Sequence, residues 1–297
     1  MKKPSAVAPR TRSGSGPSFA VAFGGGGARG LSHIHVIEAL DELGIRPRAI
    51  AGSSIGAIMG AGMAAGMTGK EIRHFAHSVL SRRAEVASRM WRARPLRLAE
   101  MMEGGFRVGQ FNIERILKSF LPDAIPEDFS GLQIPLKVTA TDFFGHGLAV
   151  IESGDLHSAL AASSAIPAVF RPVVRNGRLF IDGGIYNPLP FDLISDAADI
   201  VIAIDVVGSP VEGGRKRLTG IELVFGASQL MMQSIIDMKL KHHAQPAVFI
   251  RPPVSGFRAL DFLKIDAVLG ETSAVKDELK RGIDAAVGTH ERLRKAG

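Results

Sequence analysis

Arg48-Ala49-Ile50-Ala51-Gly52-Ser53-Ser54-Ile55-Gly56-Ala57-Ile58-Met59-Gly60 holds two opposite tendencies within thirteen residues. Its first part is a short apolar run that reads as a buried strand over 48–52. Its second part continues as a small-residue helix to about Gly66. Between them lies a G-x-S-x-G pentapeptide, Gly52 to Gly56, at a strand-to-helix junction. A tight turn there strains its central residue and leaves no room for side chains two positions away on either side. Ser54 is thereby lifted above a sheet at a helix N-terminus. Ser53 occupies an x position and is expected to point away. A small-residue packing turn remains the alternative for the pentapeptide taken alone.

The same stretch raises the question of a membrane span, because Ala49 to Met67 carries no charge over nineteen residues. Its five glycines and two serines, with no Leu, Phe or Val, argue for a helix packed closely inside protein.

Working outward, Ser18 to Phe23 reads as a strand that runs into Gly24-Gly25-Gly26-Gly27-Ala28-Arg29-Gly30 and then a helix over Leu31–Leu43. Consecutive glycines free N–H groups to face a cavity, and a helix start adds partial positive charge. The loop suits an anion, either a phosphate or the oxyanion of acyl transfer. Gly25, Gly27 and Gly30 also satisfy G-x-G-x-x-G. Dinucleotide binding, however, wants an acid at the end of the second strand, where Ala51-Gly52-Ser53 stands.

Thr68 is placed to cap a helix through Leu80, and Asn112 another through Phe120. Leu136–Thr141, Leu148–Glu152, Ile200–Val206 and Ala247–Ile250 read as strands. Val173–Ile181 reads as a hairpin turning at Asn176-Gly177. Long helices are expected over Glu222–His243 and Ser273–Arg294. Strands alternating with helices predict an α/β fold, a layered α/β/α arrangement around a mainly parallel sheet.

A serine nucleophile needs a base. None of the nine histidines sits on a loop after a late strand, where a hydrolase triad would place it. Asp182 ends the apolar run Leu179-Phe180-Ile181 and precedes Gly183-Gly184. A carboxylate at a strand end, against glycines that allow close approach, is able to take a hydroxyl proton directly. Asp-Gly is also a common turn pair, so by itself Asp182 reads more readily as a turn residue.

Composition bounds the rest. The chain has 297 residues, 46% hydrophobic and 22% charged, enough for a real core. It has no cysteine, which excludes disulfides, thiolate metal sites and a cysteine nucleophile and fits a reducing compartment. One Trp and one Tyr argue against a nucleic-acid stacking platform. The net charge of +7 is local: residues 1–17 carry +4 and residues 82–97 carry +5, leaving the remainder at −2. Residues 1–17 read as a disordered basic tail with no apolar core of a secretory signal. Residues 18–297 read as one catalytic domain. Arg89, Arg92, Arg94 and Arg97, mixed with Trp91, Met101 and Met102, read either as an interfacial segment for anionic membrane or as a solvated helical insertion.

The trio Gly25-Gly26-Gly27-Ala28-Arg29-Gly30, Gly52-Ser53-Ser54-Ile55-Gly56 and Asp182-Gly183-Gly184 resembles the patatin-like phospholipase family. The likeness runs from about Phe19 to Asp205. It takes in Thr139-Ala140-Thr141-Asp142, the run Ala161 to Pro167 and Asn187-Pro188-Leu189-Pro190, and it is nearest the bacterial branch related to the neuropathy-target-esterase catalytic domain. The C-terminal third matches only loosely. The resemblance implies a Ser–Asp dyad without a catalytic histidine. Ser54 would be the nucleophile, Asp182 the base, and Gly25, Gly26 and Gly27 the oxyanion-hole amides, with Gly30, Gly52, Gly56, Gly183 and Gly184 in support. The fourth glycine, Gly24, leaves open which amides reach the oxyanion. The implied activity is hydrolysis of a lipid or lysophospholipid ester through an acyl-enzyme, with no cofactor or metal and no nucleic-acid partner. The expected location is cytoplasmic, peripheral on the inner membrane face, without signal peptide or transmembrane helix. An acyltransferase using the same acyl-enzyme, or a catalytically silent lipid-binding module, are the alternatives.

Overall fold

The structure is a computed structural model that describes residues 16–80, 111–212 and 219–296. The basic tail up to residue 15 and the arginine segment 82–97 lie outside the described residues.

The expected α/β architecture is present. Eight strands form one mixed sheet: β1 Phe19–Phe23, β2 Ala49–Ser53, β3 Leu136–Asp142, β4 Gly147–Ile151, β5 Val173–Arg175, β6 Arg178–Asp182, β7 Ile200–Ile204 and β8 Val248–Ile250. The order is β5-β6-β3-β2-β1-β7-β8, with β4 also paired to β3. The neighbours from β3 to β8 along this order are all parallel, whereas β4 and β6 run antiparallel to β3. Parallel strands buried on both faces are read in sequence as near-continuous apolar runs, and Ile200–Ile204 is buried throughout.

The helices are α1 His33–Glu42, α2 Ile55–Ala64, α3 Gly69–Leu80, α4 Ile113–Phe120, α5 Leu156–Ser163, α6 Gly220–His242, α7 Ile265–Glu271 and α8 Val275–Ala296. Several begin where a capping residue stands. Asn112 Oδ1 accepts from Arg115 N at 3.0 Å. Thr219 and Glu222 form a reciprocal capping box at the start of α6. Sequence reading does not find α5 or α7; the signal for α5 is Asp155, whose carboxylate accepts from Ser158 N at 2.8 Å. The helix expected over Leu31–Leu43 starts instead as a 3-10 segment, Gly27–Ser32, before α1. Its Ala28 N–H donates to Ala259 O at 2.7 Å, a partner remote in sequence. The hairpin turns at Asn176 and Gly177, φ 51° and 73°, as that residue pair demands.

The two faces of the sheet differ. Large side chains (Val21, Phe23, Ile50, Ile202, Ile204) point to the larger core shared with α1, α2 and α5. Ala20, Ala22, Ala49, Ala51 and Ala203 point to the other side, against Leu189, Phe191 and Ile236 of α6. Alternation of large and small residues along each strand sets this asymmetry. Full burial of each large apolar side chain contributes roughly 1.5–3 kcal/mol. The alanine side lets the 3-10 segment Phe191–Ile194 lie close to the sheet. Among the described residues no helix is long and apolar enough to cross a membrane.

Candidate active site

The register of β3 explains how Ser54 and Asp182 meet across 128 positions of sequence. Thr139 pairs with Ser53 of β2, and the next residue, Ala140, pairs with Asp182 of β6. β4 occupies the opposite edge of β3 over Val138–Asp142. So β2 and β6 share one edge of β3 and approach each other head to head. The last residue of β6 therefore arrives beside the residue that follows β2.

Ser54 leaves β2 with φ 53° and ψ −125°, in left-handed space that a residue with a Cβ rarely occupies. The neighbouring glycines make that turn possible. A Cβ on Gly56 would overlap the Phe23 carbonyl, and one on Gly52 would stand 2.5 Å from Ala57 Cα. Gly30 lies against the Ile55 side chain and Gly183 against Thr139 in the same manner. The strained serine is held from behind: its N–H donates to Ser163 Oγ at 2.8 Å. Ser163 ends α5, and its only signal in sequence is its place within the run Ala161 to Pro167.

The Ser54 hydroxyl donates to Asp182 Oδ2 at 2.7 Å, and Gly184 N–H donates to Oδ1 at 2.8 Å. Both carboxylate oxygens are thus fixed. The backbone of Asp182 is fixed as well, its N–H donating to Ala165 O and its carbonyl accepting from Thr141 Oγ1 at 2.9 Å. Burial pushes the Asp182 carboxyl up to about 6, against the lowering effect of the Ser54 and Gly184 hydrogen bonds. A carboxylate with that value, hydrogen-bonded to a hydroxyl, is poised to accept its proton near neutral pH. Ser53 Oγ is buried and has no hydrogen-bond partner among the described residues.

The glycine loop lies against this pair, since a Cβ on Gly25 would meet Ser54 Cβ at 3.3 Å. Its four amides are not equivalent. Gly24 N–H donates to Ile204 O at 3.0 Å, and Gly25 N–H donates to Pro188 O at 2.9 Å. Gly25, expected to offer its amide to the oxyanion, has that amide engaged in the fold. Among the described residues the N–H groups of Gly26 and Gly27 donate to no backbone carbonyl. Both residues must be glycine: a Cβ on Gly26 would overlap the Val206 carbonyl, and one on Gly27, at φ 62°, the Ala259 carbonyl.

Arg29 and His33 flank the loop, and their side chains bond to backbone carbonyls of the fold. Arg29 is buried; its Nε donates to Phe257 O at 2.8 Å and its terminal nitrogen to Val207 O. Burial lowers its guanidinium to about 10, still charged at neutral pH. His33 Nε2–H donates to Gly24 O at 2.9 Å, and burial lowers the ring to about 4, so it is neutral. Neither hydrogen bond of the Asp182 carboxylate involves a histidine. Among the described residues no group of three or more His, Asp or Glu is placed to hold a metal ion.

The family model described as patatin-like phospholipase matches residues 21–194. An uncharacterized NTE family protein of Mycobacterium tuberculosis is 38% identical over 207 residues, covering 69% of this chain and 54% of the relative. Human patatin-like phospholipase domain-containing protein 6 is 30% identical over 283 residues, covering 86% of this chain and 20% of the relative. The chain thus spans about half the length, or less, of these curated relatives. Among solved structures, VipD from Legionella pneumophila aligns over 95% of this chain and 75% of its own, at 15% identity and a TM-score of 0.40. The family match covers more than half of the residues and holds all three motifs that surround Ser54: the chain belongs to the patatin-like phospholipase family.

Proposed function

We propose that this chain is a serine lipid acyl hydrolase of phospholipase or lysophospholipase type, working through a Ser54–Asp182 dyad. The observation that carries the reading is the 2.7 Å hydrogen bond from a strained elbow serine to a buried carboxylate. Asp182 takes the hydroxyl proton as Ser54 Oγ attacks the ester carbonyl. The negative charge that develops on the carbonyl oxygen is held by the free amides of Gly26 and Gly27. The tetrahedral intermediate collapses, the C–O bond to the leaving alcohol breaks, and the proton on Asp182 passes to that alcohol. Water, activated by the same carboxylate, then attacks the acyl-enzyme and releases the fatty acid. The cycle needs no Lewis acid and no histidine.

In this reading residues 18–297 act as one catalytic domain behind a basic tail of residues 1–17. The enzyme works in the cytoplasm, and Arg89, Arg92, Arg94 and Arg97 contact anionic membrane. Replacing those four arginines with Gln should weaken co-sedimentation with anionic vesicles at low salt and leave hydrolysis of a short soluble ester unchanged. Unchanged vesicle binding would assign the arginines to a solvated face.

The central test is labelling of wild type and Ser54→Ala by a fluorophosphonate probe, beside a panel of lipids assayed by mass spectrometry. Labelling that survives in Ser54→Ala would sink the assignment of the nucleophile. An unlabelled wild-type protein that binds vesicles would favour the silent lipid-binding module. Transfer of the acyl group to an added alcohol at the expense of water would mark an acyltransferase.

A further inference from the structure

Lys239 lies on α6, outside the residues matched by the family model. Its side chain is 12% exposed. Its ammonium donates to Leu189 O at 2.8 Å, to Asn187 Oδ1 and to Asp192 Oδ1, and it stands 5.1 Å from the centre of the Phe191 ring. One cation thus gathers three acceptors from a stretch of six residues, Asn187 to Asp192.

That stretch touches the candidate active site twice. Asn187 N–H donates to Gly183 O at 2.9 Å, inside the turn whose next amide, Gly184 N–H, holds Asp182 Oδ1. Pro188 O accepts from Gly25 N–H at 2.9 Å, next to the two free amides of the glycine loop. Leu189 and Phe191 anchor the stretch in the core, but Pro188 and Pro190 have no N–H to donate, so its polar fixing falls to carbonyls and side chains. Asn187 Nδ2 does donate to Asp192 Oδ1 at 3.1 Å, but the Leu189 carbonyl takes its bond from Lys239.

We propose that Lys239 is a positioning residue for the Ser54–Asp182 site, its ammonium holding Asn187–Asp192 in the shape that aligns the glycine loop with the base. The proposal rests on the reading of Ser54 and Asp182 given above. A half-buried ion pair adds little stability, because desolvating both charges offsets much of their attraction. What it does supply here is a fixed geometry for a segment with two prolines. Misplacing reacting groups by about 1 Å costs on the order of 10²-fold in rate.

Lys239→Met alone would leave the half-buried Asp192 without its cation and would lower stability for that reason. The test therefore uses the double variant Lys239→Met/Asp192→Asn beside wild type, in the full chain. Melting temperature, kcat and KM on a short soluble ester, and the pH dependence of kcat are measured. The double variant is expected to fold, to keep KM within about twofold, and to lose roughly 10- to 100-fold in kcat. The acid limb of its kcat profile should move up from about 6, because Gly184 N–H is held less well on Asp182. A folded double variant with wild-type kcat and an unmoved acid limb would overturn the proposal. So would a loss of kcat that vanishes once the assay is run well below the melting transition, since that marks stability alone. Ser54→Ala, assayed in parallel, separates the two readings: if it hydrolyses the ester like wild type, the site itself is misassigned, whatever Lys239 does.

Discussion

At the glycine loop two parts of the chain meet. Gly27, from the stretch 19–205 that carries every motif, lies against the carbonyl of Ala259, from the stretch that carries none. The same carbonyl accepts from Ala28 N–H, and the neighbouring Phe257 carbonyl accepts from Arg29. Both partners are needed for the loop to hold its shape, yet only one is marked in sequence. On the glycine side, a Cβ would collide, so the residue type is dictated. On the other side, the acting group is a peptide carbonyl, which nearly every residue type supplies equally. Residues that act through a missing side chain are legible; residues that act through their backbone are not.

The contrast is broken most severely at its chemical centre. Ser54→Ala and Asp182→Asn should each lower ester hydrolysis by about 10³-fold or more with the fold retained. Steady-state kinetics with circular dichroism on both variants checks this. Near-normal turnover in Asp182→Asn would return the base to some other group.

The next expectation sets the two sides of one contact against each other. Gly27→Ala should cost about 10²-fold or more in kcat, because the loop must move to admit the Cβ and its amides leave the oxyanion. Ala259→Ser, which keeps the carbonyl, should change kcat by less than about twofold, since surface-side substitutions away from special features shift energies little. Equal losses in the two variants would show that the C-terminal third contributes side chains after all.

A third measurement asks what the motif region costs. Burial raises Asp182 from 3.8 to about 6, so its charged form is disfavoured in the fold. The sign follows: the penalty is absent below about 3.8, grows through that window, and is complete above about 6. Asp182→Asn should therefore be more stable than wild type at pH 8, by at most on the order of 3 kcal/mol, and lose that advantage near pH 4. Urea midpoints at the two pH values decide it. A variant less stable at pH 8 would mean that the Ser54 and Gly184 hydrogen bonds outweigh the burial.

The smallest effect in rate is the pH profile of wild type. In the proposed mechanism only the ionised carboxylate accepts the Ser54 proton, so kcat should fall about tenfold per pH unit below about 6 and be flat above it. Both hydrogen-bond partners of that carboxylate, Ser54 and Gly184, are uncharged and add no second titration. A bell-shaped profile with a limb near 7 would bring a histidine back into the mechanism.

Much of the fold and site is open to inspection in the residues themselves. Alternating apolar runs place the strands, and Thr68, Asn112 and the pair Asn176-Gly177 mark starts and turns. The glycines around Ser54 declare the elbow because only a residue without a Cβ fits there. Asp182 is drawn out only in company, by standing in order after the glycine loop and the G-x-S-x-G pentapeptide. Tertiary structure alone decides the rest. It engages the Gly25 amide with Pro188 and, among the described residues, gives those of Gly26 and Gly27 no backbone partner. It sets Ser163 behind Ser54, makes His33 a neutral buried prop, and brings Lys239 to Asn187 and Asp192. The physical reason is common to all of these. A steric prohibition acts on the residue that obeys it and shows in its identity, whereas a hydrogen bond needs only a donor and an acceptor brought together, and where distant segments meet is set by packing.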